Sequence, residues 1–436
     1  MLDREILLLN EDFRLALDVL ERQRCNAFIT GRAGTGKSTL LQLFRNTTRR
    51  RAVVLAPTGT AAVHIQGQTI HAFFGFAPRI LTPKEASRKV SPERRRLYQQ
   101  LDTLIIDEVS MVRADLLDGI HRFLQVNREN VHPFGGVQVV LFGDPFQLPP
   151  VVSRDEAERS YFTDFYPSPF FFDARVFEEA GDSFSTVELK RVYRQESLFF
   201  LSLLEAVRTN AVGPEEIDAL NSRYFPNFSN AEGYITLCAR HATADRINLE
   251  ALNRLPGRLR TYEAFIQGQF EPSLYPTEKL LALKEGAQVM FIKNDPGRAF
   301  VNGTLGIVKR LYPTHVEVVV KEANQPERIV CAERMKWEII RYRIHPETGE
   351  LSTEVLGSFE QLPLRLAWAV TIHKSQGKTF DRVVIDLEGG AFEHGQLYVA
   401  LSRCRTLEGI VLRRPIRARD IIMNQRVVNF FHSRFR

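Results

Sequence analysis

The chain has 436 residues, of which 44% are hydrophobic and 25% are charged, a composition typical of a globular enzyme with two or three domains. No apolar run approaches the roughly 18 residues of a membrane span. None of the four cysteines lies in a CxxC pair, which argues against a zinc site and a disulfide framework. The net charge of +6 is compatible with a polyanionic partner but identifies none.

The first third of the chain alternates short apolar runs with helix-length segments. The runs lack a period of two and are bounded by turn residues, as expected for buried parallel strands. Strands separated by helices predict a doubly wound α/β domain. The runs cover residues 27–30, 52–56, 104–107 and 137–142.

A glycine-rich phosphate loop is predicted after the first strand. Gly31, Gly36, Lys37 and Ser38 fit the spacing G-x-x-x-x-G-K-[ST], with a strand before the loop and an apolar helix after it. Backbone N–H groups of such a loop bind phosphates, the lysine reaches the β and γ oxygens, and the serine hydroxyl binds Mg²⁺. The predicted ATP contacts are Gly34, Thr35, Gly36, Lys37, Ser38 and Thr39.

The segment at 56–76, which follows the second strand, is a candidate nucleic-acid contact. Phe73 and Phe74 are placed to stack on bases, each stack being worth about 1–3 kcal/mol. The alternative is that both rings belong to the core, and we expect this for at least one of them. Hydroxyl and imidazole groups for phosphate or sugar come from Thr58, Thr60, His64, Thr69 and His71.

Residues 77–100 contain prolines and many basic residues, and we expect an insertion that projects from the sheet. The strand at 104–107 then ends in Asp107 and Glu108. Asp107 fits the residue that holds Mg²⁺, and Glu108 fits the base that orients or deprotonates the attacking water. An acidic pair at a strand end is also common as a helix cap, but its position downstream of a phosphate loop favours the catalytic role.

The strand at 137–142 leads into a turn, FGDPFQLPP, whose glycine and prolines restrict the backbone. This fixes Gln147 near the strand ends, where ligands bind in such sheets, and makes it a candidate sensor of the γ-phosphate. Considered alone, the turn is equally consistent with a structural loop. Arginines must also neutralise the charge that develops on the phosphate, and the candidates are Arg194 and Arg403, two among many arginines.

A second α/β pattern begins near residue 234 and resumes at 364–370, 383–387 and 410–413. Between these parts, residues 304–363 alternate in hydropathy and carry closely spaced turn signals, which predicts a small inserted β-barrel. The loop at 371–380 contains His373, Lys374 and Ser375, which are candidates to contact phosphate of nucleic acid or nucleotide.

In order along the chain, these segments resemble the motifs of superfamily 1 helicases. They are most similar to those of the petite integration frequency (PIF) family, in the branch that includes RecD, and the resemblance covers nearly the whole chain. It rests on GRAGTGKST, APTGTAA with TIHAFF, LIIDEVSMV, FGDPFQLPPV, LKRVYRQ, WAVTIHKSQGKTFDRVVIDL and LYVALSRCRTLEGI, and on the stretch DGIHRFLQVNRENVHPFGGVQ.

The resemblance implies an α/β fold with two RecA-like P-loop domains. The first would cover residues 1–185, with a small wedge insertion, called 1B, at about residues 75–100. The second would cover residues 186–303 and 364–436, with an SH3-like β-barrel insertion, called 2B, at residues 304–363. ATP and Mg²⁺ would bind between the domains, with Arg194 and Arg403 as arginine fingers and further contacts from Asn10 and Gly377.

The resemblance also implies an ATP-dependent DNA helicase that moves 5′ to 3′ on single-stranded DNA and unwinds duplex, forked and G-quadruplex DNA. Such enzymes act in DNA repair, recombination and telomere maintenance. The protein is expected to be a monomer of bacterial or phage-like origin. We expect it in the cytoplasm, associated with the nucleoid and not with a membrane. Two alternatives stay open: an ATP-dependent nucleic-acid clamp that hardly unwinds, and an RNA helicase or one of opposite polarity.

One residue departs from the family pattern. Members usually begin near LNxEQ, whose glutamine reads adenine, whereas this chain has LNEDF with Phe13 in that place. The departure predicts weak discrimination among nucleoside triphosphates.

Overall fold

A computed structural model describes residues 10–152, 155–180, 184–229, 233–321, 326–345 and 348–435. The chain folds into two compact units. The first unit comprises residues 1–193, 339–356 and 425–436, and the second comprises residues 194–338 and 357–424. None of the described helices combines the length and the apolarity that a bilayer-spanning helix requires.

The first unit is built on a six-stranded sheet with the order β3-β2-β4-β5-β1-β6, in which every pair of neighbours is parallel. Its central strands are buried almost completely, as their continuous apolar sequence predicts. The strands are β1 Asn26–Gly31, β2 Ala52–Ala56, β3 Gln68–Thr69, β4 Thr103–Ile106, β5 Gln138–Phe142 and β6 Phe184–Leu189.

Helices cover this sheet and connect its strands. A π-turn at Val19–Gln23 continues the first helix, and 3-10 turns lie at Val109–Met111, Pro133–Gly136 and Phe171–Asp173. The helices are α1 Glu11–Asp18, α2 Lys37–Thr47, α3 Gly59–His64, α4 Ile70–Phe74, α5 Pro83–Ala86, α6 Pro92–Gln100, α7 Ala114–Arg128, α8 Glu156–Phe165 and α9 Val176–Ala180.

The boundary predicted after residue 185 is wrong, because β6 belongs to the first sheet. Its residues pair with β1 from Phe184 opposite Asn26 to Leu189 opposite Gly31. As the edge strand, β6 is only partly buried, so it lacks the continuous apolar run that predicts β1, β2, β4 and β5.

The second unit contains a parallel sheet with the order β18-β7-β19-β20. Two parallel α/β sheets confirm the predicted fold class. The strands are β7 Ile235–Cys238, β18 Ala369–Thr371, β19 Val383–Asp386 and β20 Ile410–Leu412. The helices are α10 Leu198–Thr209, α11 Pro214–Asn221, α12 His241–Arg254, α13 Ile372–Ser375 and α14 Gln396–Leu401, with 3-10 turns at Pro272–Leu274 and Ala418–Asp420.

An antiparallel β region is inserted between β7 and β18. Its main sheet has the order β14-β13-β12-β11-β17, a ribbon joins β10 to β8, and a third sheet has the order β15-β16-β9. The strands are β8 Arg260–Glu263, β9 Phe265–Gly268, β10 Leu280–Leu283, β11 Gln288–Phe291, β12 Leu305–Leu311, β13 Val316–Val320, β14 Arg328–Ala332, β15 Met335–Ile344, β16 Leu351–Gln361 and β17 Leu364–Leu366.

The extent predicted for this insertion, residues 304–363, needs correction on two counts. The main sheet includes β11 and β17, which lie outside that range and pair with each other. Residues 339–356 belong to the first unit. There Tyr342 is 5% exposed, its hydroxyl accepts a bond from the amide of Val54 at 3.3 Å, and its own amide donates to Gln68 Oε1 at 3.3 Å.

Helix α15, Gln425–Arg434, was predicted to belong to the second domain but is part of the first unit. Val427 is fully buried, and the ring of Phe430 stacks on that of Phe172 with their centroids 4.3 Å apart. Aromatic burial against residues far away in the sequence therefore decides where this helix packs, and no local pattern records that choice.

Candidate nucleotide and nucleic-acid sites

The loop between β1 and α2 has the geometry of a phosphate cradle. Gly34 and Gly36 adopt φ angles of 85° and 88°, which residues other than glycine rarely adopt. A Cβ atom on Gly36 would lie 3.0 Å from Cζ of Phe13. Gly36 is also the N-cap of α2, and it offers no side chain to bond the first N–H groups of that helix. These groups and the helix dipole together favour a bound anion.

The side chain of Lys37 is held at this loop by the loop's own carbonyl groups. Its Nζ donates to the oxygen of Gly31 at 2.7 Å and to that of Arg32 at 3.0 Å. Thr35 is fully buried, and its hydroxyl donates to the same Arg32 oxygen at 2.9 Å, so it braces the loop from inside. Ser38 and Thr39 are exposed at the start of α2, where both hydroxyls can reach a ligand.

The acidic pair lies at the carboxyl end of β4. Asp107 is 7% exposed, and burial, reinforced by the neighbouring Glu108 carboxylate, raises its pKa to about 7. Glu108 has a φ of 49°, an uncommon conformation for a residue with a side chain and one that often marks functional sites. Its amide donates to Asp107 Oδ1 at 2.9 Å, which fixes the two residues relative to each other.

The pair fits a divalent cation that accompanies a nucleotide. A nearby cation stabilises the ionised form of a buried carboxyl group that lies beside a second acid. In proteins, Mg²⁺ is commonly held by one or two protein oxygens together with phosphate oxygens and water. In the part of the chain that the structure describes, no cluster of three or more His, Cys, Asp or Glu residues forms a separate metal site. Ser38 and Asp107 stay the predicted ligands of such an ion.

The turn after β5 lies close to strand β1 and to the segment that follows β4. Gly143 donates to the carbonyl of Ile29 in β1, and a Cβ on Gly143 would lie 2.9 Å from Cγ1 of Val109. Asp144 is fully buried and accepts bonds from the amide of Phe146 at 3.2 Å and from Nε2 of Gln147 at 3.4 Å. The turn thus places Gln147 at the same edge of the sheet as the loop and the acidic pair.

Tyr193 is a residue of this site that the sequence reasoning missed. Its amide donates to the carbonyl of Gly34 at 2.9 Å, and its hydroxyl accepts a bond from Nδ2 of Asn10 at 3.0 Å. Asn10 also caps α1 by accepting from the amide of Phe13 at 2.8 Å. The ring of Tyr193 is 54% exposed beside the phosphate loop, where it can contact a base. The segment LKRVYRQ predicts only Arg194, because an exposed tyrosine carries no local sign of a nucleotide contact.

The two predicted arginine fingers lie together in the second unit. Nη1 of Arg194 donates to the carbonyl of Ser402 at 3.0 Å, and Arg403 follows directly and is 1% exposed. Burial, with the nearby charge of Arg403, lowers the pKa of Arg194 well below its usual value. Nε of Arg403 donates to the carbonyl of Val399 at 3.0 Å, so its side chain is held within the unit. The two neighbouring cations repel each other, and a nearby anionic group would lower that cost.

The predicted DNA-binding residues of the first unit follow β2 and β3. Thr58 caps α3 by accepting from the amide of Ala61, and Thr69 caps α4 by accepting from the amide of Ala72. Both hydroxyls therefore have a structural partner. Thr60 and His64 are exposed on α3. His71 is half-buried, its Nδ1 meets no hydrogen-bond partner among the described residues, and burial lowers the pKa of its imidazole.

Phe73 is a core residue, and its predicted stacking on bases needs correction. Its side chain is 2% exposed, and its ring packs edge to face against the rings of Phe74, Tyr98 and Tyr342. Phe74 is also fully buried. The alternative that both rings belong to the core is therefore the one that the structure supports.

The predicted loop of the second unit presents some of its side chains and buries others. His373 is half-buried with Nε2 3.3 Å from Oε2 of Glu393, and Lys374 is exposed. Ser375 is fully buried, and its hydroxyl donates to the carbonyl of Ile372 at 2.7 Å, so a DNA contact through this side chain is not supported. Gly377 has a φ of 74°, and a Cβ added to it would meet no described atom within 4 Å.

Three family models match successive parts of the chain: PIF1-like helicase over residues 10–197, the 2B domain of the DNA helicase Pif1 over residues 274–311, and the UvrD-like helicase C-terminal domain over residues 366–411. The ATP-dependent DNA helicase PIF1 of Danio rerio is 36% identical, over 93% of this chain and 61% of its own length. The Pif1 helicase of Psychrobacter sp. is 32% identical, over 91% of this chain and 67% of its own length. The chain thus spans about three fifths to two thirds of these curated relatives.

Solved structures of Pif1 from Bacteroides sp. resemble the chain over nearly its full length. The complex with ADP-AlF4 has a TM-score of 0.90 and 38% identity, and covers 98% of this chain and 97% of its own. The structure bound to ssDNA has a TM-score of 0.68 and 39% identity at the same coverage.

Proposed function

The chain belongs to the PIF1-like helicase family, and on that premise we propose that it is an ATP-dependent DNA helicase. The observation that carries the proposal is the meeting of three elements at one edge of the first sheet. There the phosphate loop, the acidic pair Asp107–Glu108 and the turn with Gln147 follow β1, β4 and β5, which are neighbours in the sheet.

In the proposed mechanism, the backbone of the phosphate loop binds the phosphates of ATP, and Lys37 exchanges its carbonyl partners for the β and γ oxygens. Ser38 and Asp107 would hold Mg²⁺, an ion that would supply positive charge to neutralise the phosphates. Glu108, held by its bond to Asp107, orients the attacking water and accepts its proton. Asn10 and Tyr193 contact the base and sugar.

Gln147 and the arginine pair respond to the γ-phosphate. Gln147 senses whether that phosphate is present, while Arg194 and Arg403 stabilise the charge that develops during its transfer. Known arginine fingers contribute about 10³–10⁵ to the rate. Gly377 adds a backbone contact from the same unit as the arginines.

DNA contacts are proposed for the groups that the structure leaves accessible. Thr60, His64, His373 and Lys374 would bind phosphates and sugars of single-stranded DNA. These contacts read no base edges, so we expect binding with little sequence preference.

We further propose movement 5′ to 3′, unwinding of forked duplexes and G-quadruplexes, and a monomeric form without DNA. The segment with α5 and α6 would act as the wedge at the duplex junction. Unwinding of 5′-tailed and 3′-tailed DNA and RNA duplexes tests the substrate and the direction together. Preference for a 3′ tail or for RNA would contradict this part of the proposal and leave ATP hydrolysis untouched.

Replacement Lys37→Ala provides the test of the motor itself. It removes the cation that binds the β and γ phosphates, so ATP hydrolysis and ATP-driven unwinding should fall by roughly 10²-fold or more, while ssDNA affinity stays within about threefold. The matched control is Lys309→Ala, at an exposed lysine of strand β12 in the inserted β region. Unwinding of forked DNA by the Lys37→Ala protein with ATP would refute the proposed function.

A further inference from the structure

Helix α15 packs against the part of the first unit that carries the nucleotide chemistry. The ring of Phe431 meets that of Phe146 edge to face, with the centroids 5.1 Å apart and the planes at 71°. Phe146 is 1% exposed and directly precedes Gln147. Its amide donates to the buried Asp144 carboxylate, which also accepts the bond from the Gln147 side chain. The contact thus lies one residue from the proposed γ-phosphate sensor.

Two further contacts hold α15 in one position along this face. The guanidinium of Arg426 binds the Asp173 carboxylate in a bidentate pair, with distances of 2.8 Å and 2.6 Å. The ring of Phe430 stacks on Phe172 and lies 5.9 Å from the ring of Phe28, a residue of the strand that leads into the phosphate loop. An ion pair at one end and stacked rings in the middle leave the helix little freedom to slide.

From these contacts we propose that Phe431 is a positioning residue for ATP hydrolysis, acting through Phe146 on Gln147. The inference rests on the proposed function. The edge-to-face contact holds the turn after β5 in place against the sheet. That turn then positions the amide group of Gln147. A group that responds to the γ-phosphate loses its effect when it is displaced by about 1 Å, even if every catalytic residue is intact.

The test is the steady-state ATPase activity of the full chain in the presence of single-stranded DNA. In Phe431→Ala, kcat should fall by about tenfold or more, whereas KM for ATP and the affinity for ADP should stay within about twofold. Phe431→Tyr keeps the ring and should restore kcat. Phe431→Leu keeps apolar volume without the ring, and it replaces Phe431→Ala in the test if that variant does not fold. Its kcat should be lower than that of the unaltered chain but higher than that expected for Phe431→Ala.

Val427→Ala is the matched control, because it truncates a fully buried side chain of the same helix and keeps both rings of the Phe431–Phe146 contact. It should lower the melting temperature but leave kcat unchanged at a temperature where the protein is folded. A double replacement then tests the route. If Phe431 acts through Phe146, adding Phe431→Ala to Phe146→Ala should cause no further loss in kcat.

Three results would overturn the inference: an unchanged kcat in Phe431→Ala, an equal loss in Val427→Ala, or losses that multiply in the double variant. Failure of the proposed function would look different, since the unaltered chain would then show no DNA-dependent ATP hydrolysis at all.

Discussion

Lys378 lies in the loop that follows α13, in a strongly cationic setting. Its Nζ donates to the carbonyl of Lys374 at 2.8 Å, and no carboxylate is among the charges that set its pKa. Burial, followed by the charges of Arg365, Arg403 and Lys374, lowers its pKa from 10.5 to about 8. This ammonium group therefore destabilises the fold when it is charged.

The pH dependence follows from this shift. Between about pH 8 and pH 10.5 the unfolded chain keeps the proton that the folded chain has lost, so the free energy of unfolding should rise with pH, by roughly 1–3 kcal/mol from this group. Urea unfolding of Lys378→Met should show a smaller rise across this window than the unaltered chain. Lys309→Met, at an exposed lysine, is the control and should reproduce the unaltered slope. Identical slopes for both variants would contradict the prediction.

Phe13 bears on how strongly the protein discriminates between ATP and GTP. The residue is 7% exposed and its ring lies against Gly36, so it supports the phosphate loop but offers no hydrogen bond to a base. We predict that ATP and GTP are hydrolysed with kcat/KM values within about tenfold, because a site without a hydrogen bond to the base discriminates weakly. Phe13→Gln should raise the preference for ATP. A strict preference in the unaltered chain would contradict this prediction and would point to Asn10 and Tyr193.

At the scale of elements, the proposed wedge depends on one buried side chain of α7. Asn127 is fully buried, accepts a bond from the amide of Val90 at 3.0 Å, and donates to the carbonyls of Arg88 at 2.9 Å and Phe123 at 3.0 Å. The stacked rings of Phe74 and Tyr98 pack beside it against Phe123. The segment between α5 and α6 is thus fastened to α7 by hydrogen bonds and not only by aromatic packing.

Replacement Asn127→Ala should loosen this segment. It leaves the amide of Val90 and the carbonyl of Arg88 without their partner, at a cost of about 2–3 kcal/mol. Hydrogen exchange of the peptide that contains Val90 should therefore accelerate by at least tenfold, while exchange in β1 stays the same. Gln125→Ala, whose side chain on the same helix donates to the carbonyl of Val131 outside the segment, is the control. Unchanged exchange at Val90 would show that aromatic packing alone holds the segment.

For the whole molecule, the net charge of +6 and the exposed polar groups near both sheets predict DNA binding through phosphates. Each neutralised phosphate releases counterions, so the affinity for a single-stranded oligonucleotide should fall by about tenfold or more between roughly 50 and 200 mM salt. Fluorescence anisotropy measures this fall, and a methylphosphonate oligonucleotide, which lacks the charges, serves as the control. An affinity that hardly changes with salt would contradict the proposed contacts.

The sequence by itself determined which residues of the first unit are proposed to carry its chemistry. Gly36, Lys37, Asp107, Glu108 and Gln147 are recognisable because each belongs to a short segment in which backbone conformation and charge are set by neighbouring residues. Parallel strands then bring their carboxyl ends to one edge of the sheet, so the order of the segments also predicts that these residues meet. The two α/β sheets and the inserted β region follow from the same local patterns of hydropathy.

Only the tertiary structure decided which side chains are accessible and which unit each element joins. Phe73 is buried partly by Tyr342, Ser375 turns its hydroxyl to its own helix, and α15 packs on the first unit through Phe430. The exposed ring of Tyr193 is held beside the phosphate loop by Gly34. Burial depends on partners that are distant in the sequence, and an apolar residue looks the same whether its partner is a core or a base. That ambiguity is why the chemistry could be read locally while these contacts could not.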